Sequence, residues 1–94
     1  MIKIKSLFYS VYKELFGARS KVIYLPDGST IQDLLTSLCN SDELIQEIYD
    51  DAGKLNGNAY ITLRRGQKVL LVQDKETILI DGDVVSIVPP IGGG

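Results

Sequence analysis

Ile31, Leu34, Leu35, Leu38 and Cys39 recur at i, i+3, i+4, i+7 and i+8, a single apolar stripe with polar residues between its members. No other stretch of the chain holds a helical period so clearly, and most of the rest alternates or runs in short β-branched segments. One principal helix must therefore be covered by strands, because an apolar stripe of this width has to be buried against another layer. Ser29 with Gln32 resembles a capping box for that helix, and Thr30 with Asp33 offers the same device one residue later.

The flanking segments supply the covering layer. Ile2-Lys3-Ile4-Lys5-Ser6-Leu7 alternates, so Ile2 and Ile4 face a core while Lys3 and Lys5 face water. From Phe8 to Phe16 the period changes, and Phe8, Val11, Tyr12, Leu15 and Phe16 predict a short helix stopped by Gly17. Lys21–Leu25 reads as a strand ended by the turn Pro26-Asp27-Gly28. A second short helix starts at Ser41 or Asp42 and carries Leu44, Ile45, Ile48 and Tyr49, after which the polar run from Asp50 to Asn58 is a surface loop.

Ala59, Ile61 and Leu63 alternate with Tyr60, Thr62 and Arg64, which predicts a half-buried strand. Arg65-Gly66-Gln67 joins it to Lys68–Val72 as a hairpin. Ile78-Leu79-Ile80 is apolar, and Asp81-Gly82-Asp83 turns the chain into a last strand beginning at Val84. This order describes an α+β domain of the β-grasp plan: a mixed sheet around one principal helix, with the first two strands paired as a hairpin and the first and last side by side and parallel.

Composition removes several functions. A chain of 94 residues forms one domain that buries roughly 60–65% of its unfolded surface. It has no histidine and Cys39 is its single cysteine, which excludes an intrachain disulfide, a Cys/His zinc site and any imidazole dyad. Cys39 lies on the apolar helix face and reads as a small buried hydrophobe. Asp50-Asp51 reads as solvated and Asp81-Gly82-Asp83 is too short for a calcium loop, so no metal site is expected. Arg64, Arg65 and Lys68 read as a solvated hairpin tip. A net charge of −2 without a basic run excludes nucleic acid as the main partner. The absence of a membrane-spanning run or signal pattern makes a cytoplasmic location the expectation.

The chemistry is concentrated after Val88. Pro89 and Pro90 have fixed φ and no N–H, so they end the strand and hold the chain extended. Ile91 follows, then Gly92, Gly93 and Gly94, which present a backbone without side chains to a narrow channel. Residues 1–90 are expected to form the domain and residues 91–94 a flexible tail.

Leu7-Phe8-Tyr9-Ser10, Lys13-Glu14-Leu15-Phe16-Gly17, Asp81-Gly82-Asp83-Val84-Val85 and Pro89-Pro90-Ile91-Gly92-Gly93 together resemble the small subunit of molybdopterin synthase, within the ubiquitin-like sulfur carriers. The resemblance spans nearly the whole chain, with three terminal glycines where the family pattern has two. It implies adenylation of the Gly94 carboxylate by a ubiquitin-activating-like enzyme using ATP, then its conversion to a thiocarboxylate. That group donates sulfur to a pterin precursor held by the large synthase subunit, so the chain is a cosubstrate with no bound cofactor. Either Gly93-Gly94 or Gly92-Gly93 serves as the functional pair.

Partner docking is expected to use the tail and an apolar patch drawn from Phe8, Tyr60, Leu70 and Ile87, some of which belong to the core instead. The alternatives are a ubiquitin-like protein modifier, a carrier for thiamine synthesis or tRNA thiolation, and a passive β-grasp binding module.

Overall fold

The computed structural model describes residues 1–55 and 59–89. In chain order the elements are β1 (Ile2–Phe8), α1 (Val11–Phe16), β2 (Ser20–Leu25), α2 (Ile31–Leu38), α3 (Asp42–Ile48), β3 (Tyr60–Arg65), β4 (Lys68–Val72) and β5 (Val84–Val88). The strands form one sheet in the order β2-β1-β5-β3-β4. β1 runs parallel to β5, and the other neighbours are antiparallel. The expected α+β, β-grasp arrangement is therefore the observed one.

The core lies between the inner face of this sheet and the helices. Ile4, Phe8, Ile61, Leu63, Val85 and Ile87 from the strands join Tyr12, Ile31, Leu34, Leu35 and Leu38 in one cluster. Each strand contributes alternate residues, as its period of two requires. Because opposed residues in a ladder share a face, the register carries the inward phase from strand to strand: Ile4 opposes Ile23, Phe8 opposes Ile87, and Ile61 opposes both Ile87 and Val72.

The principal helix is capped one residue later than Ser29 and Gln32 would place it. Thr30 Oγ1 accepts from Asp33 N at 3.3 Å, and Asp33 Oδ2 accepts from Thr30 N at 2.9 Å. Ser29 is committed to the preceding turn, where its hydroxyl donates to Pro26 O at 2.7 Å. Two further N–H groups of the first turn, on Ile31 and Gln32, donate to Thr77 O and Lys75 O, each at 2.9 Å. Thus the helix start is satisfied by its own box and by the segment that leads toward β5.

Thr30→Ala is expected to lower stability by about 1 kcal/mol and the melting temperature by roughly 4–8 °C, measured by thermal denaturation. Ser29→Ala, which leaves the box intact, serves as the comparison.

Two local expectations are corrected. Phe8 ends β1 and pairs with Ile87; the first helix starts only at Val11 because Ser10, with φ 55°, breaks the backbone between them. The end of α1 nevertheless comes back onto Phe8, and the Phe8 and Phe16 rings stack with centroids 4.4 Å apart. Of the apolar run Ile78-Leu79-Ile80 only Leu79 enters the core, and its N–H donates to Ser29 O at 2.8 Å. Finally, Arg65 is not a solvated tip residue, as its contacts below show. For α3, Ser41 is the N-cap, accepting from Leu44 N.

Candidate functional site

The site is built around the strand that precedes the tail. β5 lies at the centre of the sheet, with β1 on one side and β3 on the other. Its exit is fixed by pairing: Tyr60 opposes Val88, and Tyr9 N donates to Ile87 O at 3.2 Å. Pro89 is the last described residue and is half-buried. The expectations placed on Pro90, Ile91, Gly92, Gly93 and Gly94 lie outside the described residues.

The entry of β5 is held more tightly than a simple turn requires. Asp83 is only 1% exposed and carries a two-pronged pair with Arg65, Nε to Oδ1 at 3.0 Å and Nη2 to Oδ2 at 2.8 Å. Ile80 N also donates to Oδ2 at 2.8 Å, and Arg65 Nη2 reaches Ile78 O at 3.1 Å. These bonds favour the guanidinium's charged form and raise its pKa further, against a smaller opposing effect of burial.

The other aspartate of the turn works on β1. Asp81 Oδ1 accepts from Lys3 N at 2.7 Å, Gly82 N donates to Lys3 O at 3.0 Å, and Lys5 N donates to Asp83 O at 3.1 Å. Gly82 has φ +89°, a conformation that a side chain would strain. The Asp-Gly-Asp turn therefore locks β5 to β1 and to β3, and so fixes where the tail begins.

The predicted docking residues divide three ways. Phe8 and Ile87 are 2% and 0% exposed, directly opposite each other on the inner face, and are core residues rather than docking residues. Tyr60 is exposed beside Val88 on the outer face. Leu70 is exposed too, but it opposes Leu63, whose side chain is in the core, so it lies on the helix side of the sheet. The structure thus does not bring the four together as one patch.

What adjoins Tyr60 on the outer face is a set the sequence reading missed. Thr62 and Leu71 oppose each other there, Ser86 opposes both Thr62 and Leu7, and Val88 opposes Tyr60. Leu71 is 55% exposed and Leu7 and Val88 are half-buried. The signal was available: once Ile61 and Leu63 are assigned inward, a hairpin joined at Gly66-Gln67 puts Leu71 outward with Thr62.

Beside the tail root, Lys5, Lys13 and Arg19 line a depression of about 410 Å³ together with Leu7, Tyr9 and Ser20. Three cations in one concavity, on a chain of net charge −2, create a local positive field that suits an acidic surface. No group of three His, Cys, Asp or Glu residues among the described residues is placed to hold a metal ion. No described helix is long and apolar enough to cross a membrane.

Two side chains able to act as nucleophiles, Cys39 and Tyr12, are suppressed. Cys39 caps the end of α2, is half-buried, and burial pushes its thiol up to about 11. Tyr12 is buried, its hydroxyl donates to Glu47 Oε1 at 2.8 Å, and burial with this bond raises its pKa. A thiol neutral in the fold contributes stability that is fully present below its ordinary value of 9 and is lost as pH rises through about 11. Alkylation of Cys39 in the folded chain is thus expected to be slow at pH 8 and to accelerate toward pH 11. A rate at pH 8 equal to that of the urea-unfolded chain would contradict this.

A mixed five-stranded sheet with parallel central strands, closed on one principal helix and ending in a strand that runs into proline, defines the ubiquitin-like β-grasp class. Within that class the chain belongs to the ThiS family, whose model matches residues 7–94. It is 30% identical over 94 residues to small archaeal modifier protein 3 of Haloferax volcanii, covering 99% of this chain and all of that protein. It is 28% identical over 93 residues to the molybdopterin synthase sulfur carrier subunit of Chlamydomonas reinhardtii, covering 99% of this chain and all of that protein. The solution structure of a Haloferax volcanii protein superposes with a TM-score of 0.75 at 26% identity, covering 99% of this chain and 87% of the other. The chain is thus a member of a ubiquitin-like sulfur carrier and modifier family.

Proposed function

We propose that the chain carries sulfur on the carboxyl group of Gly94 for the synthesis of molybdopterin. The observation that supports this most is the placement of the tail root: a central strand, clamped at its entry by Asp81 and Asp83, ends beside Tyr60 and a cationic depression, and in the sequence Pro-Pro-Ile-Gly-Gly-Gly follows it. An adenylating enzyme of the ubiquitin-activating type uses ATP to join the carboxylate to AMP, releasing pyrophosphate. Sulfur at the sulfide level then attacks the acyl carbon and AMP leaves, giving the thiocarboxylate. On the large synthase subunit that sulfur bonds to the pterin precursor, and water then cleaves the acyl–sulfur bond and returns the Gly94 carboxylate. The chain itself holds no cofactor, and acid–base groups come from its partners.

Intact mass tests this reading. The chain, a purified adenylating partner, ATP and a sulfur source should yield a product with one oxygen replaced by sulfur, localised to the C-terminal residue. No gain and no AMP adduct, with a partner active on another carrier, would overturn it. A second reading, a modifier joined to target lysines through Gly94, is favoured by the similarity to small archaeal modifier protein 3. Branched conjugates that vanish when the glycines are deleted would establish it.

Docking should depend on Tyr60, which stands on the outer face beside the tail root. Tyr60→Asp is expected to weaken binding to the adenylating enzyme by about tenfold or more with an unchanged melting temperature. Calorimetric titration measures it, and an unaltered Kd would remove Tyr60 from the interface.

A further inference from the structure

We infer that β4 pairs with β4 of a second copy, antiparallel, to make one sheet continuous across two chains. β4 is an edge strand and presents three consecutive apolar residues to solvent, Val69, Leu70 and Leu71, at 64%, 49% and 55% exposure. It carries no proline and a single charge, Lys68, at its start. Beyond Lys68, such an edge lacks the devices that ordinarily prevent strand pairing.

The hydrogen-bond phase says which groups remain free. Arg65 and Lys68 flank the two-residue loop Gly66-Gln67, with Gly66 at φ +63°, so they close the hairpin as a hydrogen-bonded pair. The N–H and C=O groups of Lys68, Leu70 and Val72 therefore point to β3. Those of Val69, Leu71 and, by continuation, Gln73 point outward.

A two-fold axis through Leu71 satisfies this phase. Leu71 then faces Leu71 of the second copy as a hydrogen-bonded pair, and Val69 faces Gln73 in the same way. The same register sets Lys68 against Asp74 on both sides of the axis. Both are exposed, and Asp74 spends only Oδ1 locally, on Glu76 N at 2.8 Å. An axis through Leu70 leaves Lys68 facing Val72 instead, so charge complementarity selects Leu71. Pairing also covers apolar atoms on both faces: Leu71 on the outer side, and Leu70 against Val72 on the helix side. The tail root at β5 stays free, since β3 separates it from the edge.

Sedimentation of the full chain over a wide concentration range tests the inference. A reversible monomer–dimer equilibrium is expected. Leu71→Lys, at an exposed position, should shift it at least tenfold toward monomer by setting like charges on the axis. Val22→Lys on the opposite edge strand should not move it. Register is read by oxidation in a Cys39→Ala background, where Leu71→Cys should form a disulfide dimer and Val69→Cys should not. A chain monomeric at millimolar concentration, a dimer indifferent to Leu71→Lys, or cross-linking through Val69→Cys alone would overturn the proposal.

Discussion

A chain ending at Gly92 is expected to melt with the full-length chain and yet to accept sulfur at least a hundredfold more slowly. The truncated product still ends in a glycine carboxylate, so the chemistry of the reacting group is unchanged. Its position is not. The tail is anchored where Val88 pairs with Tyr60 and Ile87 O accepts from Tyr9 N. Removing Gly93 and Gly94 withdraws the carboxylate by about 7 Å along an extended chain. Reacting atoms must approach to about 3–3.5 Å, and a misplacement near 1 Å can already cost about a hundredfold. The anchored root cannot follow, because its register is set by the Asp81 and Asp83 bonds.

Single-turnover adenylation, followed as pyrophosphate release, measures the effect without requiring the downstream acceptor. Deleting Gly94 alone then distinguishes the two possible glycine pairs: activity retained assigns Gly92-Gly93, and activity lost assigns Gly93-Gly94. Full activity in the chain ending at Gly92 would mean that the reach of the tail does not set the rate, whereas no adenylation of the full-length chain would favour a passive module, whose glycines carry no chemistry.

How much of this was legible in the sequence depends on the range of the forces involved. Helix stripe, strand alternation and turn chemistry are local, and they gave α2, the inward phase of β3 and the order of elements. The reversal at Phe8 was not legible from periodicity, because Phe8 fits the helical spacing to Phe16 as well as the strand spacing to Ile4; pairing with Ile87 decides it. The capping box was ambiguous between Ser29 and Thr30 until Pro26 O claimed the Ser29 hydroxyl. Leu70 and Tyr60 are both exposed, but only the ladder puts them on opposite faces. Nor does sequence spacing alone indicate that Arg65 meets a carboxylate far along the chain.

Asp83→Ala should be the most destabilising single change at a residue that looks like part of an ordinary turn. The carboxylate is 1% exposed and holds both prongs of Arg65 and the Ile80 amide. Removing it leaves the Ile80 N–H without that acceptor and frees a guanidinium that is 38% exposed and so can be hydrated. Partial exposure of Arg65 reduces the Coulombic share of the loss, so the buried hydrogen bonds dominate it. Together these give a loss of about 3–5 kcal/mol, a large part of the ~5–15 kcal/mol that holds a domain of this size folded.

Arg65→Ala is expected to cost a similar amount by a different route, stranding a buried carboxylate that still accepts from the Ile80 amide. Because the two residues share one set of bonds, the double variant should lose far less than the sum of the single losses. Urea denaturation measures all three, with the midpoint falling and the slope unchanged. Additive losses, or a change below about 1 kcal/mol for Asp83→Ala, would mean that β5 keeps its place without this clamp. The position of the tail would then rest on the strand ladder with β1 and β3 alone.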